Sequence, residues 1–341
     1  MRYYIMNKDT KVLFFIPSNS SNFSIEIMGV YNESLVPRSI KSDEDIRPWL
    51  LKRLAVINRR DLFSKFQKRD IEVLEELTEL THFISVNDTY WVKHDGTDIQ
   101  WSDISPYTND LFKHIEIVKE PQYNSRYWHK FNNDLLLYKY GYNTLNEENN
   151  GCSPIAEHDA SELGLYLGIN AVKYDIVVSD SIVYTCCKNI CSENIGMITV
   201  YELFNKKVEI KELFDSDFEE DKVISRYKLI DMIILDFLTL NIDRNMTNIG
   251  VLFDTDTNAL MGLAPLFDFN MSFKLAYKNE DIFFTDKYNE LIDLFKSILV
   301  LDGQYIEQLL NKASAYTFTG SHSSTANEVL KHQLDLAYSL L

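Results

Sequence analysis

Two carboxylates and one amide beyond the middle of the chain have the residue types and the spacing that phosphoryl transfer requires. Asp243 and Asn248 are separated by four residues, and an Asp268-Phe269 pair follows. In such a transfer one carboxylate orients the attacking hydroxyl, while oxygen ligands fix Mg²⁺ against the phosphates. Carboxylate and amide oxygens suit this hard cation. The spacing therefore predicts that Asp243 acts on the hydroxyl and that Asn248 and Asp268 bind the metal ion.

The sequence around these residues predicts elements that would hold them in place. An apolar helix ends at Leu240, and two strands, at 249–253 and 260–266, form a hairpin between the two metal ligands. Such a hairpin would keep the ligands close together although they are far apart in the chain. The alternative is that these three polar residues only cap turns or end a strand.

A lysine and a glutamate upstream form a second candidate pair. Lys139 lies among apolar residues in the strand pattern 135–140, and Glu157 opens a helical pattern at 156–168. A lysine in such a strand should be partly buried, and a carboxylate beside it would aim the ammonium at the phosphates of ATP. The alternative is an exposed lysine on an edge strand and a glutamate that stabilises a helix N-terminus through the helix dipole.

Strand patterns dominate the first part of the chain, and helical patterns dominate the rest. Alternating and β-branched runs predict two strands around a Ser/Asn turn within 1–30, and single strands at 83–91, 133–140, 171–178, 181–186 and 196–203. Apolar residues at helical spacing predict helices at 43–80, 156–168 and 222–240, and two or three more near the C-terminus around a polar loop at 319–325. A sheet-rich part followed by a helical part is typical of an α+β chain with two lobes, and a ligand cleft is expected between lobes.

The acidic composition limits the expected partners. The 341 residues suit two or three compact units and carry a formal net charge of −17 at pH 7. Such a surface repels nucleic acids and anionic membranes, so we expect no direct contact with either. ATP is anionic too, so its binding would need Mg²⁺ and a few well-placed cations. The N-terminus has no signal-peptide pattern and the apolar stretch 229–240 is too short to span a bilayer, so we expect a soluble cytoplasmic protein.

The four cysteines do not form a zinc-site pattern. Cys186, Cys187 and Cys191 lie close together, and Cys152 stands alone. No second ligand pair follows at the spacing of a structural zinc site. We expect reduced, partly buried thiols.

The segments that carry the candidate residues resemble the HipA-like kinases, bacterial Ser/Thr or dual-specificity protein kinases often encoded as toxin components. The resemblance covers roughly residues 130–270 and is most specific in NIDRNMTNIGVL (241–252) and LAPLFDFN (263–270). It includes LYKY (137–140), followed by AEHDASELGLYLGI (156–169). The Asp-Arg-x₃-Asn run is also similar to the signature of the phosphatidylinositol 3/4-kinases.

The resemblance implies a bilobal protein-kinase-like fold with a β-rich N-terminal lobe and a mostly helical C-terminal lobe. An accessory N-terminal subdomain would cover residues 1–120, the N-lobe 121–203 and the C-lobe 204–341. The segment ITVYELF (198–204), which includes Glu202 and Phe204, looks like the hinge that contacts adenine.

The resemblance also implies a role for each candidate residue. Lys139 would contact ATP with Glu157 as its helix partner, and Asp243 would be the catalytic base. Asn248 and Asp268 would bind Mg²⁺. The expected partners are a protein substrate, phosphorylated on Ser, Thr or Tyr, and an antitoxin.

Two departures from the family pattern keep other functions open. The segment before the Lys139 strand, PQYNSRYWHKF (121–131), has no glycine, although glycine lets backbone amides approach phosphates closely. Asn245 stands where related loops often carry histidine. The alternatives are a lipid or small-molecule kinase, and a pseudokinase that binds nucleotide and serves as an interaction module.

Overall fold

Antiparallel sheets and a C-terminal helical layer organise the chain in the computed structural model. It describes residues 1–18, 24–56, 71–108, 126–140, 152–179, 182–204, 209–214, 224–274, 285–320 and 322–341.

The first sheet contains β1 (Tyr3–Asn7), β2 (Thr10–Ser18), β3 (Ser24–Val30) and β4 (Tyr90–His94), in the order β3-β2-β1-β4. One face packs on helices α1 (Asp43–Val56) and α2 (Ile71–Thr81), because alternate residues of β1 and β2 are apolar. The other face packs on the short helix α3 (Trp101–Ile104) and reaches Leu135 of the second sheet. The N-terminal part is therefore a layer with two apolar faces, which ties it to the rest of the molecule.

The second sheet positions the candidate lysine. It contains β5 (Arg126–Phe131), β6 (Asp134–Tyr140), β7 (Asp175–Ser179) and β8 (Ile182–Lys188), in the order β5-β6-β8-β7. Helix α4 (Cys152–Leu167) packs against it and ends at Gly168, whose φ of +85° allows the left-handed turn of a helix terminus.

The third sheet joins chain segments from both predicted lobes. Strand β9 (Ile195–Thr199) pairs with β10 (Gly250–Asp254), which pairs with β11 (Leu260–Leu263). Helix α5 (Val200–Phe204) follows β9 directly. The hairpin expected between the two metal ligands is thus present as β10 and β11.

Three helices build the C-terminal layer: α6 (Arg226–Thr239), α7 (Asp286–Ser314) and α8 (Ser323–Leu340). Helix α6 is buried on all sides from Leu229 onward, with Asp231 as the exception. A helix that is apolar all round belongs inside a core. Helices α7 and α8 cover it, and the rings of Phe237 and Phe295 stack at 4.0 Å.

Four of the predicted strands are wrong in part, and residues 1–30 form three strands rather than the two predicted. Strand β7 begins at Asp175 rather than at 171, and β11 ends at Leu263 rather than at 266. The segment 83–88 is a turn, because His82 and Phe83 adopt φ of 47° and 46°, and the strand begins only at Tyr90. The strand predicted for 196–203 ends at Thr199. There the side chain of Glu202 accepts hydrogen bonds from the backbone N–H and the hydroxyl of Thr199, a capping box that starts α5.

The architecture confirms the predicted fold class: the chain is α+β, with a β-rich part and a mostly helical part as in a bilobal kinase-like protein. The division at 1–120, 121–203 and 204–341 stays a prediction. Among the described residues no helix is long and apolar enough to cross a membrane.

Candidate functional site

Lys139 lies in the middle of a sheet rather than at its edge. Strand β6 pairs with β5 on one side and β8 on the other, and Lys139 stands opposite Arg126 and Thr185. Its side chain is only 14% exposed. The alternative of an exposed lysine on an edge strand is therefore wrong, and this buried cation needs anionic partners.

Two carboxylates from distant elements meet the ammonium of Lys139. Its Nζ contacts Oε1 of Glu157, on α4, and lies 2.6 Å from Oδ1 of Asp268, which follows β11. Strand β6, helix α4 and the end of the hairpin thus converge on one nitrogen. We call Lys139, Glu157 and Asp268 the lysine cluster.

Further contacts fix the orientation of the cluster. Glu157 is 1% exposed, and its Oε2 accepts a hydrogen bond of 2.8 Å from the hydroxyl of Thr185, on β8. The ring of Tyr174 lies 5.5 Å from the ammonium, and its hydroxyl accepts a hydrogen bond of 3.3 Å from the backbone N–H of Asp268. Every charged group of the cluster is therefore held from at least two directions.

Electrostatics keep Lys139 and Asp268 ionised. Burial favours the neutral amine of Lys139, but Asp268 and Glu157 outweigh burial and raise its pKa above the ordinary value. Burial also favours the protonated acid of Asp268, yet the charges of Lys139, Arg126 and Arg244 hold its pKa below the ordinary value. At neutral pH the site thus presents an ammonium beside an ionised carboxylate.

Asp268 has an unusual backbone conformation. Its φ is 65°, in the left-handed region that few residues other than glycine adopt, although aspartate tolerates it better than most. Asp268 lies shortly after the hairpin, and in this conformation its carboxylate contacts Lys139 on β6. Strained positions of this kind are concentrated at functional sites.

The loop after α6 places the second carboxylate. Helix α6 ends at Leu240, whose φ of 55° turns the chain out of the helix. Asp236, in the last turn, forms two hydrogen bonds with Arg244, of 2.8 and 2.9 Å, and accepts a third from Asn241. Arg244 is 4% exposed, so this is a buried, bidentate ion pair that anchors the loop to the helix.

Arg244 also joins the two predicted metal-ligand segments. Its Nη1 donates to the backbone carbonyl of Asn248 at 2.9 Å and to that of Phe267 at 2.6 Å. These carbonyls belong to Asn248 itself and to the residue before Asp268. One guanidinium therefore holds both predicted ligands of Mg²⁺ in the same region.

Asp243 is the most accessible carboxylate of the site. Its side chain is 42% exposed, and its Oδ1 lies 3.3 Å from Nζ of Lys287, at the start of α7. The amide of Asn248 donates to the backbone carbonyl of Asp243 at 3.3 Å, which fixes the loop. The carboxylate of Asp243 is thus open to a molecule that approaches from solvent.

The residues present suit a magnesium ion with few protein ligands. Oδ1 of Asp268 accepts a hydrogen bond from Lys139, and none of the described contacts involves its Oδ2. Asn248 contributes an amide oxygen, and Mg²⁺ favours such donors and keeps several waters or phosphate oxygens. Among the described residues no group of three His, Cys, Asp or Glu side chains could hold a metal ion. Cys186, Cys187 and Cys191 are buried and free.

Within the described part of the chain, no hydrogen bond or ion pair joins the remaining two predicted site residues to the lysine cluster. The carboxylate of Glu202 caps α5 through Thr199 and lies 3.3 Å from Nζ of Lys52, on α1. Phe204 is half-buried and packs against the main apolar core. A contact between this hinge segment and adenine stays a prediction.

Three residues that support the site were not singled out from the sequence, namely Tyr174, Thr185 and Asp236, and Arg244 was noted only as part of the Asp-Arg-x₃-Asn run. Their roles depend on contacts between elements that no local pattern shows. A weak signal existed for Arg244 and Asp236, since a charged pair that brackets the end of an apolar helix needs a partner once it is buried.

Comparison with known proteins identifies the fold. No protein-family model matches the chain, and no curated protein matches its sequence. HipA of Shewanella oneidensis MR-1, from a toxin–antitoxin complex with HipB and operator DNA, aligns with 99% of this chain and 97% of its own, at 10% identity and a TM-score of 0.54. The Helicobacter pylori proinflammatory kinase CtkA aligns with 64% of this chain and 89% of its own, at 15% identity and a TM-score of 0.43. The likeness to HipA shows that the chain has the fold of a HipA-like kinase.

Proposed function

On the basis of this fold, we propose that the protein is a kinase that uses ATP and Mg²⁺ to phosphorylate a Ser, Thr or Tyr hydroxyl of a protein. The observation that carries the proposal is the lysine cluster, in which one ammonium contacts a helix carboxylate and the carboxylate that follows β11. A kinase needs these groups to aim a cation at the ATP phosphates and to hold a metal ion beside them.

Each residue has a task that its surroundings support. Glu157 holds the ammonium of Lys139 in place, and the ammonium contacts phosphate oxygens of ATP. The accessible carboxylate of Asp243 orients the acceptor hydroxyl and takes its proton as the oxygen bonds to the γ-phosphorus. The bond between that phosphorus and the bridging oxygen breaks, and ADP leaves.

Asn248 and Asp268 would hold Mg²⁺. When bound, the ion neutralises phosphate charge. Asp268 is ionised and would therefore attract the cation, and Arg244 keeps the two ligand segments together.

A protein acceptor is favoured over a lipid because of the charge of the chain. A net charge of −17 opposes an anionic membrane surface, where a lipid kinase must work. The comparison with HipA, which was solved with HipB, supports a protein partner of the antitoxin type for this chain as well. Growth arrest on expression, absent in an Asp268→Ala variant, would support a toxin role, whereas normal growth with an active kinase would oppose it.

The proposal is tested with purified protein, Mg²⁺ and ATP labelled at the γ-phosphate. Label is followed on the protein itself, on a generic protein substrate, on lipid vesicles and as free phosphate. Metal dependence is tested by the same reaction with an excess of chelator, which should abolish transfer.

Each outcome separates one function from the others. Label on protein supports the proposal, and label on vesicles alone supports a lipid kinase. Nucleotide binding by calorimetry without any transfer identifies a pseudokinase. A protein that binds no nucleotide at all contradicts every version of the kinase proposal.

A further inference from the structure

A cavity lies between the first and third sheets, apart from the lysine cluster. It includes Glu202 in its lining, but none of Lys139, Asp243, Asn248 or Asp268. We call it the inter-sheet cavity. The residues that matter for its chemistry are Arg38, Trp49, Arg53, Tyr90, Ile198 and Phe253.

Hydrogen bonds between the β10–β11 turn and the segment that follows β3 hold the cavity in shape. Asn258, in the turn between β10 and β11, is buried, and its amide donates to the carbonyls of Ser34 at 3.1 Å and Val36 at 3.0 Å. Its own carbonyl accepts from Nε and Nη2 of Arg38, at 3.1 and 2.8 Å. The wall that carries Arg38 is therefore fixed before any ligand arrives.

The charges that line the cavity do not cancel. Arg53 is paired bidentately with Asp88, at 2.7 and 2.8 Å, and Lys52 is paired with Glu202. Arg38 contacts only the Asn258 carbonyl, and within the described part of the chain it contacts no carboxylate. The lining thus has three cations and two carboxylates. This excess of one positive charge stands out in a chain with a net charge of −17.

A buried hydroxyl in the lining has no partner. Tyr90 is only 2% exposed, and its hydroxyl makes no hydrogen bond. Burial raises its pKa above the ordinary value, and so does the charge of Asp88, whereas the charges of Arg53 and Arg38 act in the opposite direction. The hydroxyl has almost no surface open to a water-sized molecule, so a ligand reaches it only when the side chains around it move. A buried polar group without a partner is costly, and a ligand that then accepts its proton would remove that cost.

The rest of the lining is apolar and partly aromatic. The rings of Trp49 and Tyr90 meet edge to face at 6.5 Å, and Ile198 and Phe253 line the opposite wall. Mostly apolar walls with a few convergent polar groups are typical of small-molecule sites.

We propose that the inter-sheet cavity binds a small organic oxyanion, a carboxylate or phosphate ester on an aromatic or other apolar body. The oxyanion accepts hydrogen bonds from the guanidinium of Arg38 and from the hydroxyl of Tyr90, while the apolar body contacts Trp49 and Phe253. Guanidinium groups suit both oxyanions, because they offer several N–H donors in one plane. The lining shares Ile198 and Glu202 with the segment predicted to contact adenine, so the test is made with the proposed nucleotide site filled and does not depend on kinase activity.

Calorimetric titration of the whole protein tests the site. The probes are phenyl phosphate, benzoate, inorganic phosphate and neutral benzyl alcohol, each with saturating Mg²⁺–ADP present so that the proposed nucleotide site is filled. The variants are Arg38→Gln, which removes the unmatched charge, and Tyr90→Phe, which removes only the hydroxyl. Arg226→Gln changes an exposed arginine outside the cavity and is the matched control.

We expect phenyl phosphate or benzoate to bind with a stoichiometry of one. Arg38→Gln should weaken binding about tenfold or more, because it removes a charge-assisted hydrogen bond, and Arg226→Gln should leave it unchanged. Tyr90→Phe should weaken binding of the anionic probe by a smaller factor. If Arg38→Gln fails to fold, binding by Tyr90→Phe alone tests the proposal. Preference between the two anionic probes distinguishes a phosphate ester from a carboxylate. The proposal is overturned if no anionic probe binds, if benzyl alcohol binds equally well, or if both cavity variants bind as the wild type does.

Discussion

Lys139 is the residue on which the proposed chemistry depends most. It is a buried cation whose two carboxylate partners come from separate parts of the chain. Replacement by methionine keeps most of the side-chain volume and removes the charge, so Lys139→Met should lower phosphate transfer on the order of 10²–10³-fold, as the loss of one preorganised electrostatic group does. The rate is measured as label transferred from γ-labelled ATP.

A lysine on the neighbouring strand provides the control for this variant. Lys188, on β8, is exposed and paired with Asp134 at 2.6 Å. Surface pairs of this kind contribute little, so Lys188→Met should transfer phosphate at the wild-type rate. Equal activity of Lys139→Met and Lys188→Met would remove Lys139 from the site.

Asp159, on α4, should show an unusual titration. Burial is the main cause that raises its pKa from 3.8 to about 6. The charge of Glu162 also raises this pKa, whereas that of His158 lowers it. Between these two pH values the folded protein binds more protons than the unfolded chain, so this group destabilises the fold as pH rises from about 4 to above 6. Asp159→Asn should therefore gain stability relative to the wild type over that range, measured by urea unfolding. A carboxyl resonance of Asp159 that titrates near 4 would contradict this.

Local sequence patterns predict some site residues better than others. The proximity of Lys139 to Glu157 follows from a strand and a helix whose apolar faces are readable in the sequence. The contacts of Tyr174 and Thr185 with the lysine cluster do not, because they depend on which residues of β8 and of the segment before β7 face α4 in the folded chain. The catalytic and binding roles of these residues stay predictions.

At the scale of elements, the pair of Asp236 and Arg244 connects α6 to both metal-ligand segments. Arg244→Met leaves the Asp236 carboxylate buried without its partner, which should cost about 3–5 kcal/mol in the free energy of unfolding. The variant should also lose phosphate transfer, because Arg244 holds the carbonyls of Asn248 and Phe267. Chemical denaturation and the transfer rate measure the two effects.

A double variant separates stability from positioning. Asp236→Leu together with Arg244→Met removes both charges, so much of the lost stability should return. Transfer should stay low, since the guanidinium that joins the two ligand segments is still missing. Recovery of both properties would show that Arg244 only stabilises the fold.

The boundaries of elements were predicted less well than their existence. A Thr199-x-x-Glu202 capping box was readable in the sequence and marks the start of α5, yet the alternating pattern around it favoured a longer strand. The turn at 83–88 had no such signal, because Arg53, from α1, binds the carbonyls of Phe83 and Tyr90 and thereby fixes its conformation. Long-range contacts of this kind override local propensity.

At the scale of the whole molecule, the first sheet is attached to the β10–β11 turn. The buried amide of Asn7 donates to the carbonyl of Thr255 at 2.6 Å, and Thr89 donates to its oxygen. Asn7→Ala should lower the free energy of unfolding by about 1–3 kcal/mol, because buried polar groups lose their partners. Denaturant titration measures the change.

An exposed contact in the same region serves as the comparison. Lys8 and Asp256 form an ion pair of 2.6 Å whose carboxylate is exposed. Asp256→Ala should cost less than about 1 kcal/mol, as surface pairs usually do. If Asn7→Ala were equally mild, the first sheet would be attached mainly by apolar packing.

The general architecture was predictable from the sequence, but the attachment of its parts was not. The order of sheet-rich and helical segments predicts an α+β chain with two lobes, and the structure has this fold. The N-terminal residues carry no recognisable motif, so neither their sheet order nor the inter-sheet cavity they form with β9 and β10 follows from local patterns.

The most direct test of the proposed active site compares the wild type with Asp243→Asn in phosphate transfer and in Mg²⁺–ATP binding. The substitution keeps the shape of the side chain and removes the base, so transfer should fall on the order of 10²–10⁴-fold while nucleotide affinity is retained. Asp335→Asn, at an exposed position of α8, is the control and should behave as the wild type. Undiminished transfer by Asp243→Asn would contradict the assignment of this site.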